Sequence, residues 1–154
     1  MRKQLSKSDI KKINQEIQDK YGIADFFEKK ANVELVKDEF EIVTLDNEPC
    51  FFYLEGNIIP TLKLLLKNNF MKKVTIDMGA IKFIASGADL MRPGITEIEE
   101  GIKEGDFISV IDIEHKKPIA IGQAMLDSEK MRATESGKVI KNVHYIGDKL
   151  WKLA

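Results

Sequence analysis

Val74-Thr-Ile-Asp-Met-Gly-Ala-Ile-Lys-Phe-Ile-Ala-Ser-Gly-Ala-Asp-Leu-Met-Arg-Pro-Gly-Ile95 is the stretch that decides how this chain folds. It reads as strand, short helix, glycine stop and strand. Val74, Thr75 and Ile76 are β-branched and suit a pleated strand. Asp77 stands where a helix N-cap belongs, and Gly79-Ala80 opens a helix whose backbone can lie close to another. Ile81, Ile84 and Ala85 share one face of that helix. Gly87 is placed for a left-handed C-cap, and Pro93-Gly94 stops the strand that follows.

Outward from this stretch, the sequence divides near residues 69–73, with no Gly/Ser-rich linker between the halves. The first half opens with a helix capped at Ser6 or Ser8, its apolar face formed by Ile10, Ile13, Ile17 and Tyr21, and stopped by Gly22. Residues 23–30 are a loop or a short helix carrying Phe26 and Phe27. Strands follow over 32–37, 40–45 and 50–54, the last continuously apolar and so buried on both sides. Pro60 fits the first position of another helix, with Leu62, Leu65 and Leu66 on its apolar side. The second half is mostly β. Strands over 107–113 and 119–126 form a hairpin, Ser128 caps a short helix, and a last strand pair, 143–146 and 149–153, turns at Gly147-Asp148. Short strands closed on one another suggest a small barrel.

Composition narrows the function. The 154 residues carry 24 cationic and 25 anionic side chains, which is not the balance of a strongly basic nucleic-acid protein. The charges are unevenly spread. Residues 60–92 hold six cations against two carboxylates, and residues 93–114 hold one against seven. A lone Cys50 forms no internal disulfide or cysteine metal cluster. The charged N-terminus lacks an apolar signal core and no apolar run approaches membrane-spanning length, so a cytoplasmic protein is expected. No nucleophile elbow, P-loop, dinucleotide fingerprint or zinc-protease motif is present. His115 lies in a Lys-rich turn and His144 in a strand, neither placed as a catalytic base. The expectation is a non-enzyme without cofactor or metal.

Gly79-Ala80, Gly87-Ala88-Asp89-Leu90-Met91 and Pro93-Gly94 resemble the signature of the PUA domain, an RNA-binding module. The resemblance spans the chain. Phe51-Phe52 and Pro60-Thr61-Leu62 carry it loosely in the first half, and Asn142-Val143-His144-Tyr145-Ile146 through Leu150-Trp151 carry it at the end. It is nearest to stand-alone archaeal members with an extra N-terminal domain, similar to a eukaryotic translation re-initiation and ribosome-recycling factor that pairs with density-regulated protein. The resemblance implies an α+β chain: a small N-terminal α/β (pre-PUA) domain over residues 1–72, packed on a C-terminal PUA pseudo-β-barrel over 73–154.

In such domains a groove between the helix and the following strand holds RNA. By resemblance the RNA-binding candidates are Gly79, Ala80, Lys82, Ser86, Gly87, Ala88, Asp89, Leu90, Met91 and Arg92. Their chemistry is apt: glycines admit a sugar-phosphate backbone, free N–H groups at a helix start face an anion, Leu90 and Met91 offer apolar contact to an unstacked base, and the cations pair with phosphate. The implied partners are RNA (tRNA or rRNA), the small ribosomal subunit and a translation-factor protein, with no membrane. An accessory subunit of an RNA-modification enzyme is the alternative.

Overall fold

A computed structural model describes residues 1–153 and separates them into two compact units, Met1–Leu64 and Leu65–Leu153. In the first unit a five-stranded antiparallel sheet runs in sequence order: β1 (Arg2–Gln4), β2 (Val33–Lys37), β3 (Glu41–Leu45), β4 (Glu48–Leu54) and β5 (Asn57–Pro60). Helix α1 (Lys7–Tyr21) begins as its sequence requires. Ser6 Oγ accepts the Asp9 N–H and Asp9 returns a carboxylate to the Ser6 N–H, a reciprocal capping box. Gly22, at φ 73°, ends the helix in the left-handed conformation.

Residues 23–32 contain no helix. Asn14 on α1 holds this loop instead, donating to the Phe27 carbonyl and accepting the Phe27 N–H, both at 2.9 Å. Phe26, Phe27 and Phe51 then meet edge to face with centroids 4.8–6.0 Å apart. Cys50, Phe51 and Phe52 are consecutively buried, but Tyr53 is half-buried and Leu54 exposed at the strand end, so the apolar run 50–54 is not buried throughout.

Three expectations for this half are corrected. The first residues pair as β1 with β2 rather than only leading into the helix. Strand β4 starts at Glu48, because Asp46 and Asn47 take positive φ (50° and 70°) and close a two-residue hairpin. Pro60 lies at the end of β5, and helix α2 (Leu62–Lys67) is capped instead by Thr61, whose Oγ1 accepts the Leu64 N–H.

The second unit is a six-stranded sheet ordered β7-β11-β10-β9-β6-β8. Its strands are β6 (Lys73–Ile76), β7 (Leu90–Met91), β8 (Ile95–Ile98), β9 (Phe107–Asp112), β10 (Pro118–Ala124) and β11 (Lys138–Tyr145). Strands β6 and β9 are parallel and the other ladders antiparallel. β7 and β8 lie at opposite ends of this order, yet only the 3-10 turn Arg92–Gly94 separates them. Three residues span about 10 Å at most. The sheet therefore curls until its two edges approach without sharing a ladder, which is the expected pseudo-barrel. Its core gathers Val74, Ile76, Ile84, Leu90, Ile108, Val110, Met131 and Ile140.

Strand β8 falls in a segment that reads only as acidic. The final segment, expected as a strand over 149–153, is helix α5 (Lys149–Leu153). Asp148 sets it: Oδ1 accepts the Trp151 N–H at 2.8 Å, while Oδ2 accepts the Tyr145 N–H at 3.0 Å. Helix α4 (Ser128–Ala133) is capped by Asp127 rather than Ser128. The Ser128 hydroxyl instead accepts the Ile102 N–H and donates to the Glu99 carbonyl.

Candidate functional site

The signature stretch folds into a 3-10 turn, Met78–Ala80, continuing into the one-turn helix α3 (Ile81–Ile84) and then β7. Asp77 caps the turn by accepting the Ala80 N–H at 2.9 Å. The Gly87 and Ala88 N–H groups return to the Ile84 and Phe83 carbonyls, both at 3.0 Å, and Gly87 takes φ 93°. The chain thus doubles back from α3 into β7. A Cβ on Gly94 would lie 3.0 Å from the Ala80 methyl, so small residues are what let the Arg92–Gly94 turn approach the start of the helix.

Between these segments lies an open cleft of about 670 Å³. Gly79, Ala80, Gly87, Ala88, Asp89, Leu90 and Met91 line it, together with Phe83, Pro93 and Lys138. Seven of the ten sequence candidates are therefore brought to one wall. Asn142 braces the floor from β11: its side-chain amide donates to the Ile84 and Ala88 carbonyls at 3.1 and 3.0 Å, and its N–H donates to Asp89 at 2.9 Å.

The other three candidates lie off the lining. Lys82 is exposed beside the cleft, its ammonium 5.2 Å from the centroid of the Phe83 ring. Ser86 is exposed and donates to the Phe83 carbonyl of its own turn at 2.8 Å. Arg92 is half-buried and turned into the fold, donating through Nε to the Met131 carbonyl at 2.8 Å and through Nη1 to the Ile95 carbonyl at 3.2 Å.

Six lining residues stand outside the ten candidates: Asp77, Ile84, Pro93 and Gly94, read from the sequence only as a cap, a core residue and a strand stop, and Phe83 and Lys138, not singled out at all. Phe83 shows no signal beyond sitting off the apolar face of α3. Lys138 reaches the cleft because β11 pairs with β7, and it stands 3.6 Å from Asp89. Of the N–H groups expected to face an anion at the helix start, that of Ala80 is taken, since Asp77 accepts it. The charged side chains of the lining are then Asp77, Asp89 and Lys138, two carboxylates against one ammonium.

Away from the cleft, burial pushes the His144 imidazole below its ordinary value, against the pull of Asp148 at 2.8 Å. Burial would raise the Asp112 carboxyl, but N–H groups of His115 and Lys117 outweigh it and the net shift is downward. Among the described residues no three His, Cys, Asp or Glu side chains are grouped to hold a metal ion, and no helix is long and apolar enough to cross a membrane.

The curled sheet and its glycine-lined cleft define a PUA-type module that follows, in sequence, a separate α/β unit. Known proteins agree. The PUA domain family model matches residues 72–146, and a domain of unknown function, DUF1947, matches 1–68. An uncharacterized protein of Methanocaldococcus jannaschii is 47% identical over 96% of this chain and 93% of its own. Translation machinery-associated protein 20 of Saccharomyces cerevisiae is 34% identical over 86% of this chain and 78% of its own. Malignant T-cell-amplified sequence 1 of Danio rerio is 35% identical over 97% and 90%. A crystal structure of a hypothetical protein from Pyrococcus horikoshii superposes with a TM-score of 0.88 at 32% identity, over 99% of both chains. A chain of an H/ACA ribonucleoprotein bound to a substrate RNA superposes at 0.51 and 28% identity, over 62% of this chain and 29% of that one. The chain belongs to the family of translation machinery-associated protein 20 and malignant T-cell-amplified sequence 1.

Proposed function

We propose that this protein is a non-catalytic RNA-binding factor of the translation machinery and that the cleft of its second unit is the RNA site. The observation that carries the reading is the cleft itself. It is open, it is walled by Gly79, Ala80, Gly87 and Ala88, and it lies in a chain whose relatives are named for association with translation. Small residues leave main chain accessible to a polynucleotide. The apolar interior takes a base or ribose, while Lys82 and Lys138 at the margin meet phosphates.

Gly79, Ala80, Gly87, Ala88, Asp89, Leu90 and Met91 form the contact wall in this reading, and Lys82 and Ser86 its edge. Arg92 holds the turn beneath it. Residues 73–154 form the RNA-binding domain, and residues 1–72 dock on the small ribosomal subunit or on a partner translation factor. The setting is cytoplasmic, and the RNA is a tRNA acceptor end or rRNA. The fold shared with an H/ACA ribonucleoprotein chain favours a second reading, a detached RNA-binding subunit for a modification enzyme.

Sedimentation of extract through a sucrose gradient separates the two: the first reading expects the protein with small-subunit particles, the second with a modifying enzyme. Filter binding of purified tRNA and rRNA tests the shared core. A protein that retains neither RNA and sediments alone refutes both readings.

A further inference from the structure

The chain has twelve aromatic side chains. Among the described residues eleven are buried or half-buried, and only Phe83 is exposed, at 57%. It stands on the wall of the one cleft where exposed Met91 also lies. Full burial of such a ring contributes roughly 1.5–3 kcal/mol, and a side chain more than half exposed forgoes about half of it. Packing does not account for it, because the core-facing residue of the same turn is Ile84, at 3% exposure. The Lys82 ammonium lies 5.2 Å from the ring centroid. A cation in that position draws on the electron density of the ring and occupies one side of it.

We propose that Phe83 is a stacking platform for one unpaired nucleobase, which enters the cleft against the ring and leaves its phosphates at Lys82 and Lys138. This deepens the RNA reading and rests on it. A cleft of about 670 Å³ lies within the roughly 300–1,000 Å³ range of small-organic-ligand sites and holds a base with its ribose. The lining disfavours a phosphate inside, since it carries two carboxylates and one ammonium. Stacking on a ring is indifferent to charge, whereas contacts at the rim are not. The two kinds of residue should therefore differ in their salt dependence.

The test uses the full chain and a short single-stranded RNA, titrated by fluorescence anisotropy at several salt concentrations. A fully paired duplex and a series with single abasic positions serve as comparison. Phe83→Ala should weaken binding of the single strand about five- to hundred-fold with an unchanged salt slope. Phe83→Leu should lose nearly as much, Phe83→Trp should keep the affinity, and its indole emission should be quenched by the RNA. One abasic position should cost the parent much of this factor and cost Phe83→Ala almost nothing further. The exposure of the ring makes all three variants foldable, which circular dichroism checks.

If the parent binds the single strand and Phe83→Ala binds it equally well, the platform is refuted and the RNA reading stands. If Phe83→Leu keeps full affinity, apolar contact rather than stacking is responsible and the proposal fails in the same way. If the parent binds tRNA or rRNA but not the single strand, the platform is refuted and the RNA reading stands; if it binds none of them, both fall together.

Discussion

Arg92 tests the reasoning most sharply, because sequence and structure assign it different work. As a cation within the signature stretch it reads as a phosphate ligand. In the folded unit its guanidinium donates to the Met131 and Ile95 carbonyls, tying the β7–β8 turn to the last turn of α4. Hydrogen bonds to a charged donor contribute about 1.5–3 kcal/mol each. The site is half-buried, so the lower part of that range applies, and removing both should cost roughly 2–4 kcal/mol. At about 2–4 °C per kcal/mol for a chain of this size, Arg92→Ala should lower Tm by about 4–16 °C. Arg92→Lys cannot make the same forked pair and should fall between. Calorimetry gives the stability, and anisotropy against salt gives the number of phosphate contacts. The structure predicts a large loss of Tm and, at temperatures where the variant is folded, a salt slope like that of the parent. A variant with parental Tm whose slope has dropped by about one phosphate would refute this assignment and return Arg92 to the RNA.

Other outcomes follow from the same geometry. Lys82→Ala should leave Tm unchanged and reduce the salt slope of RNA binding by about 0.7–0.9, one phosphate's share, read in the same titrations. Gly87→Ala should cost about 1–3 kcal/mol by denaturant melt, because φ is 93° and the new Cβ would meet the Tyr145 ring at 3.0 Å. Gly79→Ala, with ordinary φ and only Asp77 Oδ1 at 3.3 Å, should cost well under half as much. His144 is 1% exposed and its folded pKa lies below the ordinary 6.5, so the unfolded chain takes up its proton first as pH falls. The stability from a neutral His144 is thus complete above about pH 6.5 and is lost as pH drops below it. Tm measured from pH 8 to pH 5 should decline below about 6.5, and His144→Gln should remove that decline from a lower starting point.

How much was legible from residues alone depended on how far each decision reaches along the chain. A helix start at Ser6 or Ser8, between which the structure chooses Ser6, the stop at Gly22, the left-handed turn at Gly87 and the strand–helix–strand order of 74–95 are settled within a few residues, by hydrogen bonds and steric limits that the local sequence carries with it. The hairpin of β9 and β10 was readable for the same reason. The seven candidates that line the cleft, Gly79, Ala80 and residues 87–91, fall in two short runs of the signature stretch, close enough in sequence to be picked out together.

Decisions made by distant partners were not readable. Strand β1 exists because β2, about thirty residues on, offers it an edge, and β8 exists because β6 does. Helix α5 replaces an expected strand because Asp148 turns the chain and caps it at once, where apolar alternation alone could not choose. Lys138 joins the cleft only through the pairing of β11 with β7, and Arg92 leaves it only because carbonyls of α4 and β8 lie within reach. Sequence determines what each segment can form and which chemistry it carries. The folded neighbours decide which way a long charged side chain points, because its several rotamers differ by less energy than one charge-assisted hydrogen bond supplies.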